Sequence, residues 1–341
     1  MFASFNKVNS IGIIIFYGII MPIFIISCSS SPKKHSNIEV VDFRGQKINL
    51  EKPAERIVCL IESATSGLFM LDLGKNIIGV STNIYDDDIY KYYSVLDERI
   101  RNKSLPTPGN WDFVSIESVV ALKPDIVIIW ASQTESINAL ENIGIPVYGV
   151  ILNSYNDVYK EIEDFGLLTG KTQRADSLIS YTKAEVEKLK KAAEKIKIQK
   201  SVYFMWAQGM LETSGKNSTV NQLIELGGCT NVCIENEEHL IVNSEKIIEW
   251  NPDIILMWCN GKMEPEDVFN KNEWQSVNAV KNKNVFELPS IFYSDLWTLK
   301  FPQAARFLMH NAYPELDVSI NPDSSCSEMT KFLYNTTLPL P

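Results

Sequence analysis

Histidine is scarce in this chain: only His35, His239 and His310 occur in 341 residues. That scarcity argues against a catalytic metal centre built on histidines. Positive charge is also short. The 32 Lys and Arg stand against 42 Asp and Glu, giving a formal net charge of −10. A nucleic-acid binder needs a basic face to neutralise phosphates, so that class is excluded. No Gly-x-Ser-x-Gly elbow, P-loop or His-Glu-x-x-His motif is present, which removes the commonest hydrolase, nucleotide and zinc-peptidase readings. The acid run Asp86-Asp87-Asp88 lacks the glycine and distal glutamate of an EF-hand, so it reads as a solvated acidic loop. What remains is 45% hydrophobic and 22% charged, the balance of a folded protein. The length points to two domains, because single cores stop growing near about 250 residues.

The N-terminus carries an apolar run from Ile11 to Ile26, interrupted by Gly12, Gly18 and Pro22 and preceded by Lys7. It is long for a signal h-region and short for a spanning helix, which needs about 20 residues. Ile25-Ile26-Ser27-Cys28 resembles the lipobox of bacterial lipoproteins. That resemblance implies a signal peptide over 1–27 and lipid on the thiol of Cys28, the first mature residue. The polar stretch 28–38 reads as a flexible tether. An uncleaved anchor with a chance cysteine is the alternative; both place the body outside the cytoplasm, in the cell envelope. Five further cysteines remain, an odd number that cannot all pair within one chain. Cys59 and Cys259 sit in or beside apolar runs as small core residues. Cys229 and Cys233 are close enough for a small-loop disulfide or part of a soft metal site, and the pairing of Cys326 stays open.

Short runs rich in Ile and Val predict strands at 57–61, 77–80, 126–130, 147–151, 202–206, 254–258 and 285–288. They alternate with helical periodicity, which indicates α/β architecture with mostly parallel sheets buried on both faces. The strongest helix runs from Gln173 to Ile196, with Ala175, Leu178, Ile179, Val186, Leu189, Ala193 and Ile196 on one side. It divides the chain into an N-terminal lobe (39–168), a linking helix (169–197), a C-terminal lobe (198–315) and a peripheral tail (316–341) with no assigned role. An internal echo supports two lobes. The segment from Glu117 through Pro124-Asp125 to Trp130 reappears without a gap from Glu245 through Pro252-Asp253 to Trp258, at a constant offset of 128. In each copy an acid opens a short helix, Pro-Asp ends it, and a strand runs to a tryptophan.

With these pieces in order, residues 39–315 resemble the substrate-binding proteins of bacterial ABC importers for ferric siderophores, haem and cobalamin, whose lobes are tied by one long helix. The resemblance rests on Arg56-Ile-Val-Cys-Leu-Ile-Glu-Ser63, on Leu122-Lys-Pro-Asp-Ile-Val-Ile128, and on Thr213-Ser-Gly-Lys216 followed by Asn221-Gln-Leu-Ile-Glu-Leu-Gly-Gly228. It implies a non-enzymatic receptor with no resident cofactor. Its ligand would be a small-molecule metal chelate, and its partners an ABC permease dimer with a cytoplasmic ATPase. A monomer is expected. By position, Glu117 and Glu245 would dock on arginine pockets of the permease. Two carboxylates at equivalent places on paired lobes suit a two-fold partner, while each alone is also explained as an acid in a first helical turn.

Ligands of open α/β sheets sit beyond the C-terminal strand ends, which nominates Trp130 and Trp258. In similar cobalamin-binding members, cleft tryptophans hold the places of Trp111, Trp130 and His239; here the third is a histidine. Ser63, Tyr85, Trp206, Ser214, Tyr293 and Trp297 complete the candidates, since large planar side chains suit a planar ligand. Core packing is the competing reading for Trp206, Trp258 and Phe292. An anionic siderophore would want Arg99, Arg101, Lys103, Lys300 or Arg306 in the cleft. The alternatives are an envelope metalloprotein or enzyme using Cys229, Cys233 and His239, a binder of a bare metal or oxyanion, and an adhesion lipoprotein with no small ligand.

Overall fold

The computed structural model describes residues 38–259, 261–316 and 322–341. The expected signal peptide, Cys28 and the tether up to Asn37 lie outside the described residues. Ile38 already belongs to a hairpin, β1 (Ile38–Val41) against β2 (Lys47–Leu50). The N-terminal lobe continues with β3 (Ile57–Cys59), α1 (Glu62–Met70), β4 (Ile77–Val80), α2 (Asp87–Leu96), α3 (Glu98–Arg101), α4 (Ile116–Leu122), β5 (Ile126–Trp130), α5 (Thr134–Asn142), β6 (Val147–Val150) and α6 (Tyr155–Thr169). Helix α7 (Thr172–Ala193) follows. The C-terminal lobe holds β7 (Ser201–Met205), β8 (Glu212–Thr213), α8 (Thr219–Leu226), β9 (Thr230–Asn231), β10 (Leu240–Ile241), α9 (Ser244–Trp250), β11 (Ile254–Met257), α10 (Pro265–Phe269), α11 (Asn278–Lys281), β12 (Val285–Glu287) and α12 (Phe301–Ala312). Helix α13 (Pro322–Tyr334) closes the chain.

Each lobe has a four-stranded parallel sheet, ordered β4-β3-β5-β6 and β9-β7-β11-β12. The orders coincide when β3 is matched to β7 and β5 to β11, so the sequence repeat is a repeat of topology. Alternate side chains feed opposite faces of each sheet. Ile57, Cys59, Ile126 and Ile128 enter one core while Val58, Val127 and Ile129 enter another. In the second sheet Val202, Phe204, Ile254 and Leu256 face one way and Tyr203, Met205, Ile255 and Met257 the other. Burial on both faces explains why these strands read as continuous apolar runs.

Helix α7 has 22 residues, about 33 Å at 1.5 Å per residue. Its first half contributes Ala175 and Leu178 to the N-terminal core, and its second half Leu189 to the C-terminal core. Gly170, with φ 72°, terminates α6 and lets the chain turn back into α7.

The tail 316–341, expected to be peripheral, is not so over its described residues 322–341. Cys326, Met329, Leu333, Tyr334 and Leu338 are buried in the N-terminal core. Arg174 donates to the carbonyls of Phe332 and Leu333 at 2.8 and 3.0 Å, and Tyr293 Oη donates to the carbonyl of Pro339 at 2.9 Å. The loop after β12 also returns to the N-terminal lobe, where Phe292 stacks on Tyr92 with ring centroids 4.5 Å apart. The lobes are therefore joined by α7 and by the 288–300 crossover, and α13 packs on the N-terminal core. No disulfide joins any two of the five described cysteines. No helix among the described residues is long and apolar enough to cross a membrane.

Candidate functional site

The C-terminal end of β3 leads directly into α1, and this turn places Glu62 and Ser63 at the edge of the sheet. Ser81, at the end of β4, donates its hydroxyl to Glu62 at 2.5 Å. Burial pushes the Glu62 carboxyl up from its ordinary value, and the Ser81 hydrogen bond partly opposes this. The β5 strand end supplies Trp130. The loop 108–114 supplies Trp111, held by a tight turn. Asn110 Oδ1 accepts from the amides of Asp112 and Phe113, and its Nδ2 donates to Thr82 and Asn83. A Cβ at Gly109 would collide with the carbonyl of Phe113, so glycine is required there. The turn leaves Trp111 exposed.

From the other half of the chain, β11 ends at Trp258 and the 288–300 crossover adds Ile291, Phe292, Asp295 and Trp297. Together these residues surround a cleft of about 430 Å3 at the C-terminal strand ends of the two sheets. Asn83, Asp86, Asp88, Ile89 and Tyr93 complete its lining. Trp130 and Trp297 also line an adjoining recess of about 400 Å3 with Ser132, Asn153 and Glu238. The C-terminal wall is a block of rings. Trp206 lies 5.3 Å from Trp258 and 6.2 Å from Trp297, with Trp297 stacked on it at 10°. Trp206 Nε1 donates to Ser214 at 2.8 Å, which fixes the indole.

The electrostatics of the cleft are negative. Glu62, Asp86, Asp88 and Asp295 all line it, and none of the described residues that line it is a lysine or arginine. Behind it lies Lys300, which is fully buried, 3.5 Å from the ring centroid of Phe292 and donating to Ser66 Oγ at 3.2 Å. Ser66 in turn shares a 2.5 Å hydrogen bond with Tyr334 of α13. Burial drives the Asp295 carboxyl up, to about 6, and the Lys300 ammonium down, to about 7. Each charge holds the other ionised against that desolvation. The other basic candidates are engaged elsewhere: Arg99 with Asp97, Arg101 with the carbonyl of Ser94, Lys103 over the rings of Tyr85 and Tyr90, and Arg306 with Glu185.

Residues 57–292 match the family of periplasmic binding proteins. The chain belongs to that family. It is 27% identical over 296 residues to the uncharacterized ABC transporter substrate-binding lipoprotein YvrC of Bacillus subtilis, covering 84% of this chain and 86% of that one. It is 25% identical over 324 residues to the molybdate-binding protein MolA of Haemophilus influenzae, covering 87% and 91%. The fold of a periplasmic solute binding protein from Veillonella parvula superposes with a TM-score of 0.74 at 24% identity, covering 88% of this chain and 94% of that one.

Within this binding protein, five sequence candidates meet at the cleft: Ser63, Trp111, Trp130, Trp258 and Trp297. The other five lie outside its lining. Trp206 and Ser214 are buried behind the tryptophan wall. His239 stacks on Trp206 at 6.1 Å and bonds Glu212 through Nε2 at 2.5 Å. Tyr85 donates to the carbonyl of Leu105, and Tyr293 is buried with its hydroxyl on Pro339. Cys229 and Cys233 are buried while His239 is exposed, and among the described residues no group of three His, Cys, Asp or Glu is placed to hold a metal ion. Sequence reasoning missed the acidic half of the cleft. Asp86 and Asp88, read as a solvated loop, are exposed and also line the opening.

Glu117 and Glu245 are both exposed, each in the first turn of a seven-residue helix. Ser115 caps one helix and Asn243, 128 residues on, caps the other. Both helices end on a left-handed residue, Lys123 and Asn251. Asp125 then accepts from the amides of Glu55 and Arg56, and Asp253 from that of Ser201, clamping each helix to its own sheet.

Proposed function

We propose that this binding protein is the substrate-capturing component of an ABC importer, held outside the cytoplasmic membrane by lipid on Cys28, and that its ligand is a neutral or cationic metal chelate. The observation that carries the ligand class is the lining of the cleft: planar rings and four carboxylates, with no lysine or arginine among the described residues there. Rings bury the flat apolar faces of a macrocycle or chelate, and carboxylates favour positive charge or N–H donors. A corrinoid or an uncharged ferric hydroxamate fits these terms better than an anionic catecholate. Molybdate, which the name of the relative MolA gives as its ligand, would meet Glu62, Asp86, Asp88 and Asp295, with no lysine or arginine among the described lining residues. The reading needs no covalent chemistry. Delivery would use Glu117 and Glu245 to engage a basic, two-fold related permease surface.

The test separates capture from delivery. Glu117→Gln with Glu245→Gln should leave chelate binding to purified protein unchanged and reduce uptake by cells at least tenfold. Loss of binding in that variant, or unimpaired uptake, would refute the docking role.

A further inference from the structure

Four of the exposed large apolar residues of this chain fall into two pairs related by the repeat. Phe113 is 54% exposed and Ile241, 128 residues on, 71%. Val120 is 41% exposed and Ile248, again 128 on, 36%. Both pairs bracket the repeat glutamate at the same distances, four residues before it and three after. Within the helices Glu117 and Val120, like Glu245 and Ile248, are i, i+3 neighbours on one face. Exposed apolar side chains scattered singly need no explanation. Exposure preserved at equivalent positions of two lobes, beside an exposed carboxylate in both, does. Local packing does not account for it, because Phe113 sits in a loop and Ile241 in β10. Lys246, beside Glu245, pairs with Glu249 at 3.1 Å.

We infer that Phe113 and Val120 on one lobe, and Ile241 and Ile248 on the other, are apolar brackets of a duplicated docking surface. Its partner presents two related basic sockets, each rimmed by apolar side chains, at the surface of a membrane transporter. The inference rests on the importer reading and adds where the affinity comes from. An exposed ion pair contributes little and sets orientation. Apolar side chains that exclude water around it supply most of the binding and raise the strength of the enclosed charge pair. A second copy of this chain is a poorer occupant, since both patches carry the same negative charge.

The experiment uses the full, lipid-bearing chain in cells that lack their own copy. A photo-crosslinking amino acid replaces Ser118 or Lys246, equivalent positions within the two patches, and crosslinked peptides are mapped by mass spectrometry. The expected result is that both reporters join the same integral membrane transporter subunit beside arginines or lysines. Phe113→Ser with Ile241→Ser should lower that yield at least tenfold, each single change giving part of the loss, with the melting temperature unchanged. If the apolar variant crosslinks like the parent while Glu117→Gln with Glu245→Gln does not, the brackets are refuted and carboxylate docking stands. Crosslinks to a second copy of the chain would overturn the inference. Crosslinks to no transporter would overturn the importer reading, and the inference with it.

Discussion

At the end of β5 the N-terminal lobe places Trp130, and at the end of β11 the C-terminal lobe places Trp258; both line the cleft. One step earlier in the repeat the lobes part company. Trp111 reaches the cleft from its pinned turn, whereas His239 lies against Trp206 and Glu212. The first strands differ more. The end of β3 opens into Glu62 and Ser63, with Asp86 and Asp88 nearby, while the end of β7 is closed by Trp206 packed on Trp258 and Trp297. The N-terminal lobe thus contributes three of the four carboxylates, while the lining rings are shared equally, Tyr93, Trp111 and Trp130 from one half and Trp258, Phe292 and Trp297 from the other. A duplicated scaffold fixes where the site is, and divergence of the strand-end residues sets what it accepts.

The sharpest way to break this comparison is at the crossover, where the C-terminal half of the chain enters the N-terminal core. Lys300→Met would take from the half-buried Asp295 the buried cation that helps keep its carboxyl ionised, a loss of about 1–3 kcal/mol. Chemical denaturation should show that loss, and adding Asp295→Asn should restore most of it. Trp130→Ala and Trp258→Ala come next. Each should weaken binding of an uncharged or cationic chelate at least tenfold, about 1.4 kcal/mol, by calorimetry. Trp206→Phe should cost less, because Trp206 backs the wall without lining it.

The acidic contribution predicts a smaller, pH-dependent effect. Burial raises both the Glu62 and Asp295 carboxyls, Asp295 to about 6. As pH falls Asp295 takes up a proton near 6 and Glu62 does so above the pH of an ordinary glutamate, the cleft loses negative charge, and a cationic or N–H-donating chelate binds less tightly. Affinity for a ligand whose own charge is constant should drop several-fold from pH 8 to pH 5, and Glu62→Gln should flatten the slope. The smallest effect is expected at the repeat's mismatched position: His239→Trp should change affinity by less than about threefold, against a larger loss for Trp111→Ala. Equal losses at the two positions would make the site symmetric and contradict the placing of Trp111, but not His239, in the lining.

Much of this was legible in the sequence, for identifiable reasons. Strands buried on both faces announce themselves as Val and Ile runs, so β3, β5, β7 and β11 were readable, as was the stripe of α7 from Ala175 to Ala193. The Glu–Pro-Asp–Trp repeat carried the two-lobe topology, and the strand-end rule located Trp130 and Trp258. The acidic wall was not readable, because Glu62, Asp86 and Asp295 come from separated segments and only folding brings them together. Asp86-Asp87-Asp88, judged against a calcium loop, gave no hint of an aromatic neighbour. Tyr85 and Tyr293 sit beside cleft residues in sequence but turn their hydroxyls to the carbonyls of Leu105 and Pro339. The burial of α13 left only a short trace, Cys326, Met329 and Leu333 at helical spacing within a polar segment, and no local pattern says which lobe such a helix will cover.

The central claim is that the cleft between the two sheets selects a neutral or cationic chelate. Its most direct test is quenching of the intrinsic tryptophan fluorescence of the purified protein by a corrinoid and an uncharged ferric hydroxamate, set against molybdate and an anionic ferric catecholate. Saturable 1:1 quenching by a member of the first pair, lost in Trp130→Ala, is the predicted result; tighter binding of molybdate or the catecholate at the same tryptophans would contradict it.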